Sequence, residues 1–170
     1  MTTILNREYN WHAIYTKARS EKKTFEALTE DGIDTFLPLS KTLQQWKDRK
    51  KWVELPLFSS YIFVKVSNKE YYEALQNPYS VCYVTLEGKA VNVPDSDIES
   101  IKFLIEKNYK IDVTSENFGI GEKVMVKQGQ LAGMHGELLE LRGKHKVLLR
   151  IDAIGQSLVF DVPIAHLVKE

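Results

Sequence analysis

Apolar and polar positions first alternate over residues 9–16, "YNWHAIYT", where Trp11, Ala13 and Tyr15 interleave with His12, Ile14 and Thr16 at the period of a strand. The period then changes. In residues 20–31, "SEKKTFEALTED", Phe25 and Leu28 fall on one helical face, Ser20 suits the N-cap and Gly32 the left-handed position past the end. "IDTFLPLSKTLQQW" is β-rich, with Pro38 best placed at an edge. "KDRK" reads as a polar hairpin tip, after which "KWVELPLFSSYIFVKV" supplies one or two further strands. "SNKE" has capping-box spacing and predicts a short helix through Leu75. "VCYVT" and "AVNV" flank "LEGK" as a hairpin. Asp95 opens a second helix, with Ile98, Ile101 and Ile105 at helical spacing.

From 109 to 118, "YKIDVTSENF" shows neither period and reads as a linker. Beyond it, "EKVMVK", "GELLELR", "KVLLRIDAI" and "SLVFDVP" are short strands separated by glycine-containing turns, the pattern of a small β-barrel. The expected organisation is therefore an α/β-mixed domain followed by an all-β one, both within a length of 170 residues.

Charge and cysteine content narrow the classes. There are 23 basic and 23 acidic residues, so the chain is no blanket polycation and any nucleic-acid contact must be a local patch. The single cysteine, Cys82, excludes an intramolecular disulfide and a Cys-based zinc cluster, and its run "SVCYVTL" reads as core. The first fifteen residues lack the pattern of a signal peptide, and no window has the roughly 20 apolar residues of a membrane span. The expectation is a soluble, cytoplasmic protein with no membrane role.

The glycine-rich "QGQLAGMHGELLEL" invites a phosphate-loop reading, which fails. A Walker loop needs Lys and Ser/Thr after its last glycine, whereas Gly136 is followed by Glu137, which repels phosphate. The spacing of Gly129, Gly133 and Gly136 is not G-x-G-x-x-G, and a strand follows rather than a helix. The glycines instead suit a tight corner, where a Cβ clashes or a positive φ is needed. His12, His135, His145 and His166 have no metal-ligand spacing, and Asp95 and Asp97 sit at a helix start where the dipole explains them. No catalytic constellation, metal site or cofactor is expected. The chain reads as a non-enzyme.

Three stretches stand out as binding surfaces. "KARSEKK" places Lys17, Arg19, Lys22 and Lys23 at the start of the first helix, against the alternative of a solvated face salted with Glu21. In "WKDRKKW", Trp46 and Trp52 bracket Lys47, Arg49, Lys50 and Lys51; aromatic and basic side chains together grip phosphates and stack on bases, although cross-strand aromatic pairing under a charged tip gives the same pattern. "PLFSSYIFVKV" is apolar throughout, so it is buried on both faces or covered by a partner.

In order, "NWHAIYTKARSEKK", "FLPL", "WKDRKK", "PLFSSYIFVKV" and "VCYVTLEGKAVNVPDSDI" resemble the N-terminal domain of the NusG transcription elongation factors. "GEKVMVKQGQLAGMHGELLEL" resembles the KOW motif of their C-terminal domain. The resemblance implies an α+β fold, an antiparallel sheet flanked by helices over residues 1–108, a linker over 109–118 and an SH3-like KOW barrel over 119–170. The W-x-D-R-K-K hairpin is most similar to specialised UpxY/RfaH-type paralogues, which implies an antiterminator on a polysaccharide operon. The alternatives are a general NusG factor coupling polymerase to Rho or the ribosome, and a ribosome-associated RNA-binding KOW protein.

By the same resemblance, Trp11, Tyr15, Phe58, Tyr61 and Phe63 would dock on the clamp helices of the largest RNA polymerase subunit. Lys17, Arg19, Lys22 and Lys23, with Lys47, Arg49, Lys50 and Lys51, would contact non-template DNA of the transcription bubble. Tyr71 to Ala74 match the position that approaches the polymerase gate loop, without its Thr-rich motif. Ala153, Ile154, Gly155 and Gln156 match the surface for Rho or a small-subunit ribosomal protein. Ala153-Ile154 in place of a larger Ile-Phe pair, and Leu131 in place of Phe, weigh against Rho. A monomer is expected.

Overall fold

A computed structural model describes residues 8–170, so the start of the stretch read as lacking a signal peptide lies outside the described residues. The chain divides into two compact units, residues 1–95 and 96–170. It is a mixed, sheet-rich α/β protein with two α-helices among the described residues.

In the first unit, β1 (Asn10–Thr16) is followed by α1 (Glu21–Glu30), β2 (Asp34–Phe36), β3 (Leu39–Gln45), β4 (Lys50–Pro56) and β5 (Tyr61–Val66). Then come a 3₁₀ turn at Glu73–Leu75, β6 (Ser80–Tyr83), β7 (Thr85–Leu86), β8 (Lys89–Ala90) and β9 (Asn92–Val93). The main sheet runs β2-β5-β1-β6, with β9 also paired to β1, all antiparallel. Because side chains alternate across a strand, register decides what each face carries. Ile14 faces Ile62 and His12 faces Val64, so the even positions of β1 and β5 share one face. That face carries a core of Ile14, Ile62, Val64 and Val66 with Leu28 of α1, Ile33, Leu37, Ala74 and Tyr83, against which Phe25 packs.

Helix α1 starts where expected, but Ser20 makes no side-chain cap. Its carbonyl accepts instead from both the backbone N–H and the hydroxyl of Thr24, each at 2.8 Å. Gly32 takes the left-handed conformation at φ +77°. The "SNKE" segment forms the glutamate half of its capping box: the Glu70 carboxylate accepts from the Ser67 backbone N–H at 3.1 Å and from the Ser67 hydroxyl. Only a single 3₁₀ turn follows, rather than a longer helix. The "LEGK" hairpin is present as β7–β8, with Glu87 and Gly88 both at positive φ, the geometry that two-residue hairpin loops favour. Cys82 departs from its expected place in the core. It lies on β6, an edge strand whose Val81 and Cys82 are exposed.

α2 (Asp95–Glu106) begins at the last residue of the first unit and belongs otherwise to the second; its Ile98, Ile101 and Leu104 are fully buried. The rest of the second unit is β10 (Asp112–Thr114), β11 (Glu122–Val126), β12 (His135–Leu141), β13 (Lys144–Ile151), β14 (Gln156–Asp161) and β15 (Leu167–Lys169). These make a six-stranded antiparallel sheet in the order β10-β14-β13-β12-β11-β15. The segment expected to be a linker therefore contributes a strand: Asp112, Val113 and Thr114 pair with Val159, Leu158 and Ser157. A three-residue ladder is held by backbone hydrogen bonds and leaves no apolar period to read.

The glycine-rich corner joins β11 to β12. Gly129 and Gly133 sit at φ +93° and +91°, and the Gly133 N–H donates to the Val126 carbonyl at 2.7 Å. Gly136 has no unusual φ. A Cβ there would stand 2.5 Å from Val147 Cγ1 and 2.9 Å from the Leu148 carbonyl oxygen, so strand contact requires glycine.

Candidate functional site

The odd positions of β1 and β5 gather the aromatics that the sequence singled out. Trp11 faces Lys65, Ala13 faces Phe63 and Tyr15 faces Tyr61 across the β1–β5 ladder, while Phe36 of β2 faces Phe63. Tyr15 and Tyr61 meet edge-to-face at 4.9 Å, and Phe63 stacks on Phe36 at 6.1 Å and meets Phe58 edge-on at 6.0 Å. The Lys65 ammonium lies 5.7 Å from the Trp11 ring centre and 3.5 Å from the Asp95 carboxylate. Trp11, Tyr15, Phe58, Tyr61 and Phe63 thus form one aromatic face, opposite the face that packs α1.

Exposure within that set is uneven. Trp11, Phe58 and Phe63 are buried, and Tyr15 is 43% exposed. Partial burial of the Tyr61 hydroxyl, followed by the proximity of Tyr15, raises its pKa above the ordinary tyrosine value. The apolar run of β5 is accordingly buried on both faces, with Ile62 and Val64 on one and Phe63 on the other.

The basic residues near α1 are only partly free. Lys22 donates to the Glu54 backbone carbonyl at 2.8 Å and so ties α1 to β4. The Lys23 ammonium stands 5.6 Å from the centre of the Tyr79 ring. Arg19 has φ +58°, in the left-handed region, at the turn from β1 to α1. Glu21, which the alternative reading placed on a solvated face, is buried, and its carboxylate accepts the Ser60 backbone N–H at 2.7 Å. Ser60 is itself at φ +64°, so Glu21 fixes the turn that leads into β5.

Lys47, Arg49, Lys50 and Lys51 occupy the tip of the β3–β4 hairpin, a two-stranded sheet of its own. The Trp46 N–H donates to the Arg49 carbonyl at 2.7 Å and closes the loop. Trp52 is opposite Leu43, not Trp46, so the two tryptophans are not the cross-strand pair that the sequence left open. Trp46 and Trp52 are 53% and 66% exposed.

In the second unit, residues 153–156 are only partly at the surface, through Gly155 and Gln156. Asp152–Ile154 make a 3₁₀ turn closed by Gly155 at φ +61°, and Ala153 and Ile154 are buried. Leu131 and Met134, on the glycine-rich corner, are buried too. Arg150 joins the Glu137 carboxylate at 2.8 and 3.1 Å and donates to the carbonyls of Phe118 and Gly119. The Glu137 carboxylate also accepts the Gly121 N–H at 2.9 Å, and Arg150 first among these contacts holds its pKa below the ordinary carboxylate range. Asp97 behaves oppositely: burial, then the nearby Asp152, pushes it up to about 6.

The four histidines have no common ligand. His12 Nδ1 lies 2.9 Å from the Val91 carbonyl and so carries the proton, and His135 Nδ1 meets the Glu170 carboxylate. Among the described residues no group of three or more His, Cys, Asp or Glu is arranged to hold a metal ion, and no helix is long and apolar enough to cross a membrane.

A family model described as transcription termination factor NusG matches residues 9–102, more than half of the chain. The chain belongs to the NusG family. As a NusG-family protein it is a transcription factor, and the match spans both the aromatic face and the β3–β4 hairpin. Among solved structures, one described as "Domain interaction in Thermotoga maritima NusG" is similar at 20% identity, covering 95% of this chain and 97% of that one with a TM-score of 0.54, so the NusG likeness in fold extends over both units. A chain of the MjSpt4:Spt5 complex aligns over 94% of this chain and 95% of its own at 16% identity and a TM-score of 0.29. No curated protein matches the sequence.

Proposed function

We propose that this NusG-family transcription factor docks on RNA polymerase through the odd-numbered face of its main sheet. The supporting observation is register: Trp11, Tyr15, Phe58, Tyr61 and Phe63, chosen from the sequence, gather on one side of β1 and β5. Aromatics concentrated on one face are the usual anchors of protein interfaces. Tyr15, at 43% exposed, and Tyr61 beside it are the members that solvent reaches, so they make first contact with the clamp helices. Lys17, Arg19 and Lys23 then add affinity for non-template DNA. In this reading the factor suppresses pausing or termination as a specialised antiterminator, with a KOW-type second unit whose reachable partner contacts in the 153–156 loop are Gly155 and Gln156.

A pull-down of core polymerase tests the docking, using Tyr15→Ala, Tyr61→Ala and the double variant, each checked for native circular dichroism. Loss of polymerase from the folded double variant is expected, and undiminished recovery overturns the docking face. Transcript profiling of a deletion strain tests the specialised role. Changes confined to a few operons, such as one for polysaccharide synthesis, support it, and broad changes reject it.

A further inference from the structure

The β3–β4 hairpin carries its two tryptophans on opposite faces. Pairing of Lys41 with Glu54, Leu43 with Trp52 and Gln45 with Lys50 puts Trp52 on one face with Leu43, Lys41, Lys50 and the acidic Glu54. Continuing the alternation through the Trp46–Arg49 closure puts Trp46 on the other face, with Arg49 and Lys51. Each face therefore offers a largely exposed indole beside two cationic side chains. Leu43, at 45% exposed, widens the apolar surface around Trp52.

Beyond Leu39, which packs against the core at the base, the side chains of both strands are exposed or half-buried. The ribbon is fixed at its base, where the Leu57 N–H donates to the Pro38 carbonyl at 2.8 Å and Lys22 holds the Glu54 carbonyl. Seven residues per strand carry the tip about 23 Å from that base at the usual rise of a strand. Over residues 39–56 there are five basic and two acidic side chains, a local charge of +3 on a chain whose net charge is zero. Indoles with adjacent cations suit unpaired bases and their phosphates, and one such set stands on each side of the ribbon.

We propose that this hairpin is a two-faced stacking wedge for forked DNA, taking one unpaired strand on the Trp46 face and the other on the Trp52 face. The proposal rests on the reading above that the factor works at the transcription bubble, and adds the strand arrangement that the hairpin recognises. Base stacking at each tryptophan predicts that Trp46→Ala and Trp52→Ala each weaken binding about five-fold, the low end of what one stacked base contributes. Together they should compound to roughly thirty-fold.

Fluorescence anisotropy on the full chain provides the test, with a labelled DNA fork of two unpaired arms, a duplex and a single strand of equal length, and an RNA single strand. The fork should bind most tightly, and each tryptophan variant should bring it down towards the single strand. Equal binding of duplex and fork overturns the wedge, as does tighter binding of RNA, or an unchanged affinity in the double variant. If only one variant has an effect, the two-faced arrangement is wrong. The polymerase pull-down with the same two variants separates this outcome from the docking reading: recovery of polymerase should be retained when fork binding is lost.

Discussion

Gly136→Ala tests whether contact between strands, rather than backbone conformation, keeps glycine in β12. A methyl at this position would stand 2.5 Å from Val147 Cγ1, about 1 Å inside ordinary carbon–carbon contact. It would also stand 2.9 Å from the Leu148 carbonyl oxygen, which belongs to the β12–β13 ladder. Val147 is fully buried and branched at Cβ, so it has little freedom to turn aside. Relief requires β13 to move, and overpacking of this kind costs about 2 kcal/mol. For a unit of this size that lowers the melting temperature by roughly 8–16 °C. Gly133→Ala is a different case: nothing lies within 4 Å of its Cβ, and only its φ of +91° opposes the change. Truncating Val147 to alanine separates the two mechanisms. Val147→Ala removes the methyl that the added Cβ strikes, so the Gly136→Ala/Val147→Ala pair should be less destabilised than the sum by about 1 kcal/mol. The Gly133→Ala/Val147→Ala pair should be additive to within about 0.5 kcal/mol. Urea unfolding followed by far-ultraviolet circular dichroism measures these terms; tryptophan emission does not report on this unit, because Trp11, Trp46 and Trp52 all lie in the first. Additivity of Gly136→Ala with Val147→Ala would refute the steric argument.

Asp97, pushed up to about 6 from its ordinary 3.8, binds a proton in the folded protein that the unfolded chain has already released between those pH values. Its contribution to stability is thus most favourable below about pH 4 and is lost as pH rises through 6. Urea midpoints at pH 4, 5, 6 and 7 should show that decline, and Asp97→Asn should flatten it. The Arg150–Glu137 pair has the opposite sign, since Glu137 is held below its ordinary 4.5 and its stabilisation is lost as pH falls through that lowered value. Arg150→Ala also removes the hydrogen bonds to the carbonyls of Phe118 and Gly119; a cost of about 1–2 kcal/mol at pH 7, shrinking on acidification, is expected from calorimetry.

Much of the fold was legible because it depends on local chemistry. The period of two in β1, the polar tip of β3–β4, the "LEGK" hairpin and the glycine corner each express a constraint within a few residues. The misreadings concern information held elsewhere in the chain. Cys82 sits in an apolar run, yet an edge strand exposes such a run as readily as a central one buries it. β10 is too short and polar to announce itself, and exists because β14 offers a free edge. Glu21 looked like a solvent charge because its partner, the Ser60 N–H, lies 39 residues away. For the binding surfaces, sequence supplied the residues and register supplied the grouping. Alternation within β1 was visible, but the meeting of Tyr15 with Tyr61, and the separation of Trp46 from Trp52, depend on which residues face each other across a ladder.

That dependence governs which substitutions can say anything about docking. Phe63 has no exposed surface and Phe58 almost none, and truncating a buried phenylalanine costs about 3–5 kcal/mol. Set against the roughly 5–15 kcal/mol that holds a typical domain folded, such a loss removes binding by unfolding the sheet, whatever the polymerase contacts are. Trp11, also buried, has the same defect as a probe. Tyr15 differs because nearly half of its surface already faces water, and its ring contact with Tyr61 contributes only about 1 kcal/mol beyond the area it buries. Loss of polymerase binding in Tyr15→Ala, with the urea midpoint nearly unchanged, therefore bears on the interface itself. The same loss in Phe63→Ala would show only that the aromatic face belongs to the fold.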